Sequence, residues 1–285
     1  MELCCTSVML PRWGLEETFE RLATHGYGAV ELRCRYNPDD PAATPSFWGR
    51  HLADVSPDNV VQLAPRIRAA AAATGVRVAA LAPAVQLGQD GELTKLLRGA
   101  VAIDPERPPM IRVGAARYDR HQPYLPQFDA ARAGYAALLA TSQPFGARIL
   151  YEIHVGTVAV SCSRTRELLR DLDPAGIGAI YDVPNMVRVG LEDSRMGMEI
   201  LGPYLAHCHI GNGLPVAGQA DGQGQTPWQW QFCGLQAGVA DIAQIVADFR
   251  AVGYGACLSL EDFGPGDDDE KVGGQGAYLR RLLAV

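Results

Sequence analysis

The chain has no Cys-x-x-Cys pair, no surplus of basic residues, no long apolar run and no glycine-rich dinucleotide fingerprint. Each absence removes a class of protein. The seven cysteines (Cys4, Cys5, Cys34, Cys162, Cys208, Cys233 and Cys257) are odd in number, and several sit in apolar stretches. They read as free thiols packed as small hydrophobes in a reducing compartment, not as a disulfide framework. Lys and Arg total 25 against 32 Asp and Glu, a net charge of -7. Such a surface does not suit a polyanion, so nucleic acid is not an expected partner. No apolar stretch approaches the roughly 18 residues that a membrane span needs, and no basic segment followed by an apolar one opens the chain. The expectation is a soluble, cytoplasmic protein with no membrane partner.

What is present is an ordinary globular composition, 48% apolar and 20% charged, with short apolar runs alternating with amphipathic segments. Strands are predicted at Leu3–Met9, Ala29–Leu32, Arg77–Leu81, Pro109–Val113, Arg148–Ile153, Ile177–Tyr181, Leu205–Ile210 and Ala256–Leu260. Between and after them, helical spacing marks the segment from Leu15 to near Gly26 and the ranges 58–74, 92–102, 127–139, 164–172, 192–201, 242–252 and 278–283. Ser56, in Ser-Pro-Asp, is placed to stop the second helix at its N-terminus. Eight β-then-α units with near-continuous apolar strands point to one closed (β/α)8 barrel spanning residues 1–285, with no linker dividing it. An open doubly wound sheet is the alternative. It is disfavoured because no Gly-x-Gly-x-x-Gly follows the first strand.

The stretch Ile149-Leu150-Tyr151-Glu152-Ile153-His154 carries the first chemical signal, because a buried strand ends in a carboxylate and an imidazole on the same side. A charge placed there requires a partner. Glu152, Asp182, His209 and Glu261 fall at the ends of the fifth to eighth strands. The steps from 152 to 182 and from 182 to 209 each match the roughly 30 residues of one barrel unit. The longer step to 261 contains Gly211–Ala237, a Gly- and Gln-rich loop of the kind that contributes to substrate sites. All four side chains converge on the carboxyl-terminal mouth, where barrels place their chemistry. Three carboxylates and an imidazole suit a divalent cation such as Mn²⁺, with Mg²⁺, Co²⁺ and Zn²⁺ as alternatives, and leave positions open for substrate oxygens.

The sequence resembles the xylose isomerase-like barrel superfamily, in particular its sugar phosphate isomerase/epimerase branch, which also holds endonuclease IV-type enzymes, inosose dehydratases and hydroxypyruvate isomerases. The resemblance is carried by Gly26-Tyr27-Gly28-Ala29-Val30-Glu31-Leu32, Glu152-Ile153-His154, Asp182-Val183-Pro184-Asn185, His207-Cys208-His209, Gly234-Leu235-Gln236-Ala237-Gly238-Val239, Gly253-Tyr254-Gly255 and Leu258-Ser259-Leu260-Glu261, and so covers nearly the whole chain. It implies one divalent metal on Glu152, Asp182, His209 and Glu261, with the two glutamates as the acid/base pair that moves a proton next to a carbonyl through a metal-stabilised enediolate. His154 and Asn185 would hydrogen-bond sugar hydroxyls. The implied activity is isomerase or epimerase chemistry in carbohydrate metabolism, with dehydration of an inosose-type keto-polyol as the nearest variant. A silent barrel that binds a sugar, or serves as a subunit of a larger assembly, is the competing class. Self-association into a homo-oligomer is left open.

The sequence also departs from its relatives. Many of these carry a Lys and an Asp soon after the seventh-strand histidine, whereas His209 is followed by Ile210-Gly211-Asn212. The endonucleases use a three-metal cluster with extra histidines, one of them where Asn185 stands, and His25, His51 and His121 lie away from strand ends. His207 shares a face with His209, so it is either an alternative ligand or substrate contact, or a core histidine one layer down. Glu31 and Arg112, at inward positions of strands two and four, either bind substrate or pair with each other inside the barrel. Arg33 is read as solvated or loop-anchoring. Trp228, with Trp230, either stacks on a sugar face or packs the loop down. Cys208 is expected to point outward and is not counted as a ligand.

Overall fold

The apolar runs become strands because both of their faces find cover, the inner from each other and the outer from helices. The computed structural model describes residues 1–190 and 192–284. Its strands are β1 (Glu2–Thr6), β2 (Ala29–Arg33), β3 (Arg77–Ala82), β4 (Met110–Val113), β5 (Ile149–Glu152), β6 (Ile177–Asp182), β7 (Leu205–Ile210), β8 (Asn212–Ala217), β9 (Trp228–Cys233) and β10 (Cys257–Leu260). The helices are α1 (Leu15–Thr24), α2 (Val60–Thr74), α3 (Asp90–Ile103), α4 (Tyr124–Ser142), α5 (Cys162–Leu169), α6 (Val183–Val189), α7 (Ser194–Leu201), α8 (Ile242–Ala251) and α9 (Asp268–Ala284). Strands β1 to β7 follow one another round a closed parallel barrel, and β10 completes it between β7 and β1. The remaining pair, β8 and β9, forms an antiparallel hairpin outside the barrel.

Inside the barrel the side chains stack in layers. Cys4, Ala29, Ala79 and Cys257 fill the bottom, and Ala80, Leu150, Ile180 and Ala206 fill the next layer. The alternate residues, such as Ile149, Tyr151, Tyr181 and Cys208, face the helices in the large outer core. Cys208 thus points away from the barrel axis, and all seven cysteines are free. This parity carries Glu31, Arg112, Glu152, Asp182, His209 and Glu261 inward above the apolar layers. Among the described residues no helix is long and apolar enough to cross a membrane.

The structure changes several sequence expectations. The first strand ends at Thr6, and Ser7–Met9 is a 3-10 turn capped by the Thr6 hydroxyl. Helix α2 starts at Val60 because Ser56 closes a preceding turn, its carbonyl accepting from Val60 N at 3.0 Å and its own N–H donating to Asn59 Oδ1 at 2.8 Å. Helix α9 begins at Asp268, well before the expected Tyr278, with Asp268, Asp269 and Glu270 in a first turn where the helix dipole favours acids. Its glycines obscured it in the sequence. A Cβ at Gly276 would stand 2.8 Å from Tyr27 Oη, so glycine lets the helix close on the barrel. Helix α6 was not foreseen and starts immediately after Asp182.

The Gly211–Ala237 segment, expected as a loop, is organised by the β8–β9 hairpin, and Asn212 anchors its base. The buried Asn212 amide donates to Leu235 O and Ala240 O at 2.8 and 3.0 Å, and its Oδ1 accepts from Gly213 N and Ala240 N at 2.9 and 3.0 Å. Replacing it strands four buried backbone groups. Asn212→Ala should therefore destabilise the protein by about 2 kcal/mol or more. A denaturant titration checks this, and an unchanged midpoint would contradict the anchoring role.

Candidate active site and metal centre

His209 is the centre of the polar layer. It is fully buried on β7, paired in register with Asp182 on β6 and Ser259 on β10. Its Nε2 lies 2.8 Å from Glu31 Oε2 across the barrel. Its Nδ1 lies 3.1 Å from Asp182 Oδ2, 3.2 Å from Glu152 Oε1 and 3.7 Å from Glu261 Oε2. One ring edge is thus held by a carboxylate while the other faces three. Ligand atoms of Glu152, His209 and Glu261 all lie within 4.8 Å of one another. Asp182 divides its oxygens, Oδ1 accepting from Asn185 N at 2.9 Å as the cap of α6 and Oδ2 turned to His209.

This donor set fits a divalent cation. Glu31 fixes the ring by accepting from Nε2, which leaves Nδ1 as a lone-pair donor in the midst of carboxylate oxygens, the outer-shell arrangement of metal-bound histidine. Without a cation the arrangement needs protons. Although burial pushes the imidazolium down, Glu31 and Glu261 outweigh it and raise His209 well above its usual range. Burial, with Asp182, Glu152 and Glu31 nearby, pushes Glu261 up to about 8 against the pull of His209. Burial acts on Glu152 in the same sense, yet Arg112, with Nη1 at 2.9 Å, and His209 hold it well below the carboxylate range.

The other inner residues support this centre. The Glu31–Arg112 pair considered from the sequence does not form; Glu31 bonds the two histidines, and Arg112 pairs with Glu152 and donates to Pro83 O at 3.3 Å. His207 lies fully buried one layer below His209, its Nε2 3.1 Å from Glu31 Oε2, and it does not reach the cavity. Arg33 is buried, not solvated, and anchors the loop after β2 through Arg35 O and Gly49 O.

Above the centre opens a cavity of about 320 Å³. Glu152 and Glu261 form part of its lining, as do His154 and Asn185. His154 places Nδ1 2.7 Å from Val155 O, which leaves Nε2 for a ligand, and Asn185 Oδ1 accepts from Val155 N at 3.2 Å, which leaves its amide N–H groups. Trp228 is elsewhere, 66% exposed on the hairpin, while Trp230 packs over Gly213. The aromatic wall comes instead from Trp48, Phe232 and Phe263, with Trp48 and Phe263 ring centres 4.6 Å apart. Trp48 and Phe263 were missed because they sit on connecting segments without strand periodicity, and Phe232 because its hairpin strand β9 was expected as a loop. Arg35 and Arg117 follow β2 and β4 at the mouth, where a basic residue after a barrel strand was an available but unused signal.

The profile of the xylose isomerase-like TIM barrel family matches residues 19–282. The chain belongs to this family. No curated protein matches it by sequence. Solved structures that share the fold include the apo form of 3-keto-D-glucoside 4-epimerase from E. coli, at 15% identity and TM-score 0.69 over 100% of both chains. Another is a probable 3-DHS dehydratase from Bacillus anthracis, at 14% identity and TM-score 0.70 over 98% of this chain and 99% of that one. A xylose isomerase-like TIM barrel protein from Mycobacterium smegmatis, in complex with magnesium, aligns at 14% identity and TM-score 0.66 over 99% and 96% of the two chains. At such identities the likeness concerns the fold.

Two outcomes follow from this geometry. Glu31→Gln should weaken divalent metal binding about 10- to 100-fold, because the His209 ring loses its anionic partner; an unaltered affinity in a metal titration would separate Glu31 from the centre. For the metal-free protein the sign runs downward with pH. Glu261 holds its proton in the folded state up to about 8 against 4.5 for the free side chain, so its stabilisation is complete below 4.5 and lost as pH rises through about 8. The raised His209 acts in the same sense above 6.5, while the depressed Glu31 and Glu152 act below 4.5. After chelation, Tm should fall between about pH 5 and about pH 9, and added metal should raise it most at the alkaline end.

Proposed function

We propose that this protein is a metal-dependent isomerase or epimerase acting on a sugar or a related polyhydroxylated carbonyl compound. The observation that carries the reading is the pair of carboxylates, Glu152 and Glu261, set about one oriented imidazole nitrogen at the floor of a polar cavity. Family membership and solved neighbours described as epimerases support it. A divalent cation on Glu152, Asp182, His209 Nδ1 and Glu261 would supply Lewis-acid stabilisation for negative charge that develops on substrate oxygen, and Mn²⁺, Mg²⁺, Co²⁺ and Zn²⁺ all suit such donors.

The remaining work belongs to the chain itself. Arg112 keeps Glu152 ionised, which suits it to take a proton from a carbon beside a carbonyl. Glu261, the other carboxylate beside the His209 nitrogen and in the cavity lining, is placed to return one, which makes the two glutamates the acid/base pair. His154 Nε2 and the Asn185 amide are placed to bind hydroxyls, and the Trp48 and Phe263 rings give an apolar face for C–H groups. Asn212 has no part in this chemistry, since its amide is fully used by backbone. Dehydration is the second reading. It rests on the same base and on the likeness to a probable dehydratase.

Metal analysis of the purified protein and solvent-deuterium exchange into ketoses, inososes and 3-keto sugars test the proposal. Bound metal and exchange into at least one class are expected, and loss of a hydroxyl in place of exchange would select dehydration. Glu261→Gln should lower exchange by about 10²-fold or more and weaken metal binding, whereas Cys208→Ala, on the helix side of β7, should alter neither. Absence of both metal and exchange would reject the enzyme.

A further inference from the structure

We infer that the substrate carries an anionic group, a carboxylate or a phosphate, held at the barrel mouth by Arg35, Arg117 and Arg188. The inference rests on reading this cavity as the substrate site. The chain as a whole is acidic, with a net charge of -7, yet four arginines (Arg35, Arg112, Arg117 and Arg188) line this one cavity. Among the described residues, the only acids in the lining are Glu152 and Glu261, and both belong to the candidate metal centre. Arg112 is matched by Glu152 at 2.9 Å. Among the described residues, no carboxylate pairs with Arg35, Arg117 or Arg188. Several arginines outside the cavity do find acids, as Arg66 does with Glu16 and Arg195 with Glu199, whereas these three are gathered unpaired around one concavity.

Arg35 is the most telling of the three. Its Nε donates to Ala82 O at 3.1 Å and its guanidinium carbon lies 5.9 Å from the Trp48 ring centre, so the group is fixed at the cavity wall. It is largely withdrawn from water beside Arg112 and Arg33, and burial with these two cations lowers its pKa to about 9. Glu152 and Glu31 offset this only in part, so a guanidinium held there without a paired carboxylate favours a complex with an anion. Guanidinium forks also match the paired oxygens of carboxylate and phosphate. Arg117 and Arg188 are more exposed and suit capture and orientation at the rim, where their attraction is screened by salt. A neutral polyol would use the hydroxyl contacts at His154 and Asn185 and leave three cations unmatched.

The test uses D-gluconate, D-fructose 6-phosphate and D-fructose as carboxylate, phosphate and neutral probes, titrated calorimetrically into metal-loaded and chelated protein. At least one anionic probe should bind about tenfold or more tightly than fructose, weaken as salt rises, and so identify which anion the site takes. Arg117→Gln and Arg188→Gln, at exposed positions that leave the core intact, should each reduce that affinity severalfold without changing metal affinity. Arg35→Gln should reduce it about tenfold or more, and Arg35→Lys should restore part of it. Equal binding of all three probes, or anion binding indifferent to the arginines, would overturn the inference. Failure of the enzymatic reading has a different signature, because Arg-dependent anion binding would persist in a protein without metal or proton exchange.

Discussion

The polar layer of the barrel depends on one imidazole. His209 has a carboxylate below it at Nε2 and three above it at Nδ1, all inside a shell of strands that admits almost no water. Four carboxylates in such a volume repel one another strongly unless positive charge is interleaved. Arg112 supplies some of it from β4, and His209 or a cation on its Nδ1 supplies the rest. The closed barrel makes this arrangement possible, since only closure brings β2 opposite β7. A Cβ at Gly211 would collide with the Glu261 carbonyl, so glycine after β7 is required for the last strand's acid to approach the histidine.

The parts of this arrangement that were legible in the sequence are those fixed by alternation along a strand. Leu150 and Glu152, or Ile180 and Asp182, share a face whatever the rest of the chain does, and the βα repeat places those faces at one mouth. Partnerships across the barrel were not legible. Glu31 and Arg112 are both inward and of opposite charge, so pairing them is the natural reading of two strands taken alone. The register shift between Val30 and Glu31 on β2, and the one between Ala179 and Ile180 on β6, set the heights at which side chains meet, and no local pattern encodes them. The aromatic wall escaped for a related reason. Trp48 and Phe263 reach the cavity from connecting segments whose path is decided by what they pack against, including Lys271 over the Phe47 ring.

The segment after His209 shows how a departure from the relatives can be absorbed. Ile210-Gly211-Asn212 offers no side-chain charge to a substrate, and Asn212 spends all of its hydrogen-bonding capacity on backbone at the root of the hairpin. Positive charge enters the cavity from other elements, from β4 through Arg112, from the segments after β2 and β4, and from α6. Removing a cation from one loop does not make a site neutral when four other elements supply it. The mouth is therefore a basic concavity on an acidic protein, a contrast that concentrates the field where the walls exclude water.

Arg112 links the two halves of this picture. It contacts Glu152 directly, stands in the lining beside Arg35, and is held by Pro83 O, so its position is fixed from both sides. Its charge does two things at once. It keeps Glu152 ionised while burial and the other carboxylates favour protonation of Glu261, and it pushes Arg35 toward the neutral form by like-charge repulsion. An anion bound beside Arg35 would relieve that repulsion without touching Glu152. The floor and the mouth of the cavity are thus coupled through one guanidinium, since the residue that holds Glu152 ionised also adds to the positive charge beside Arg35.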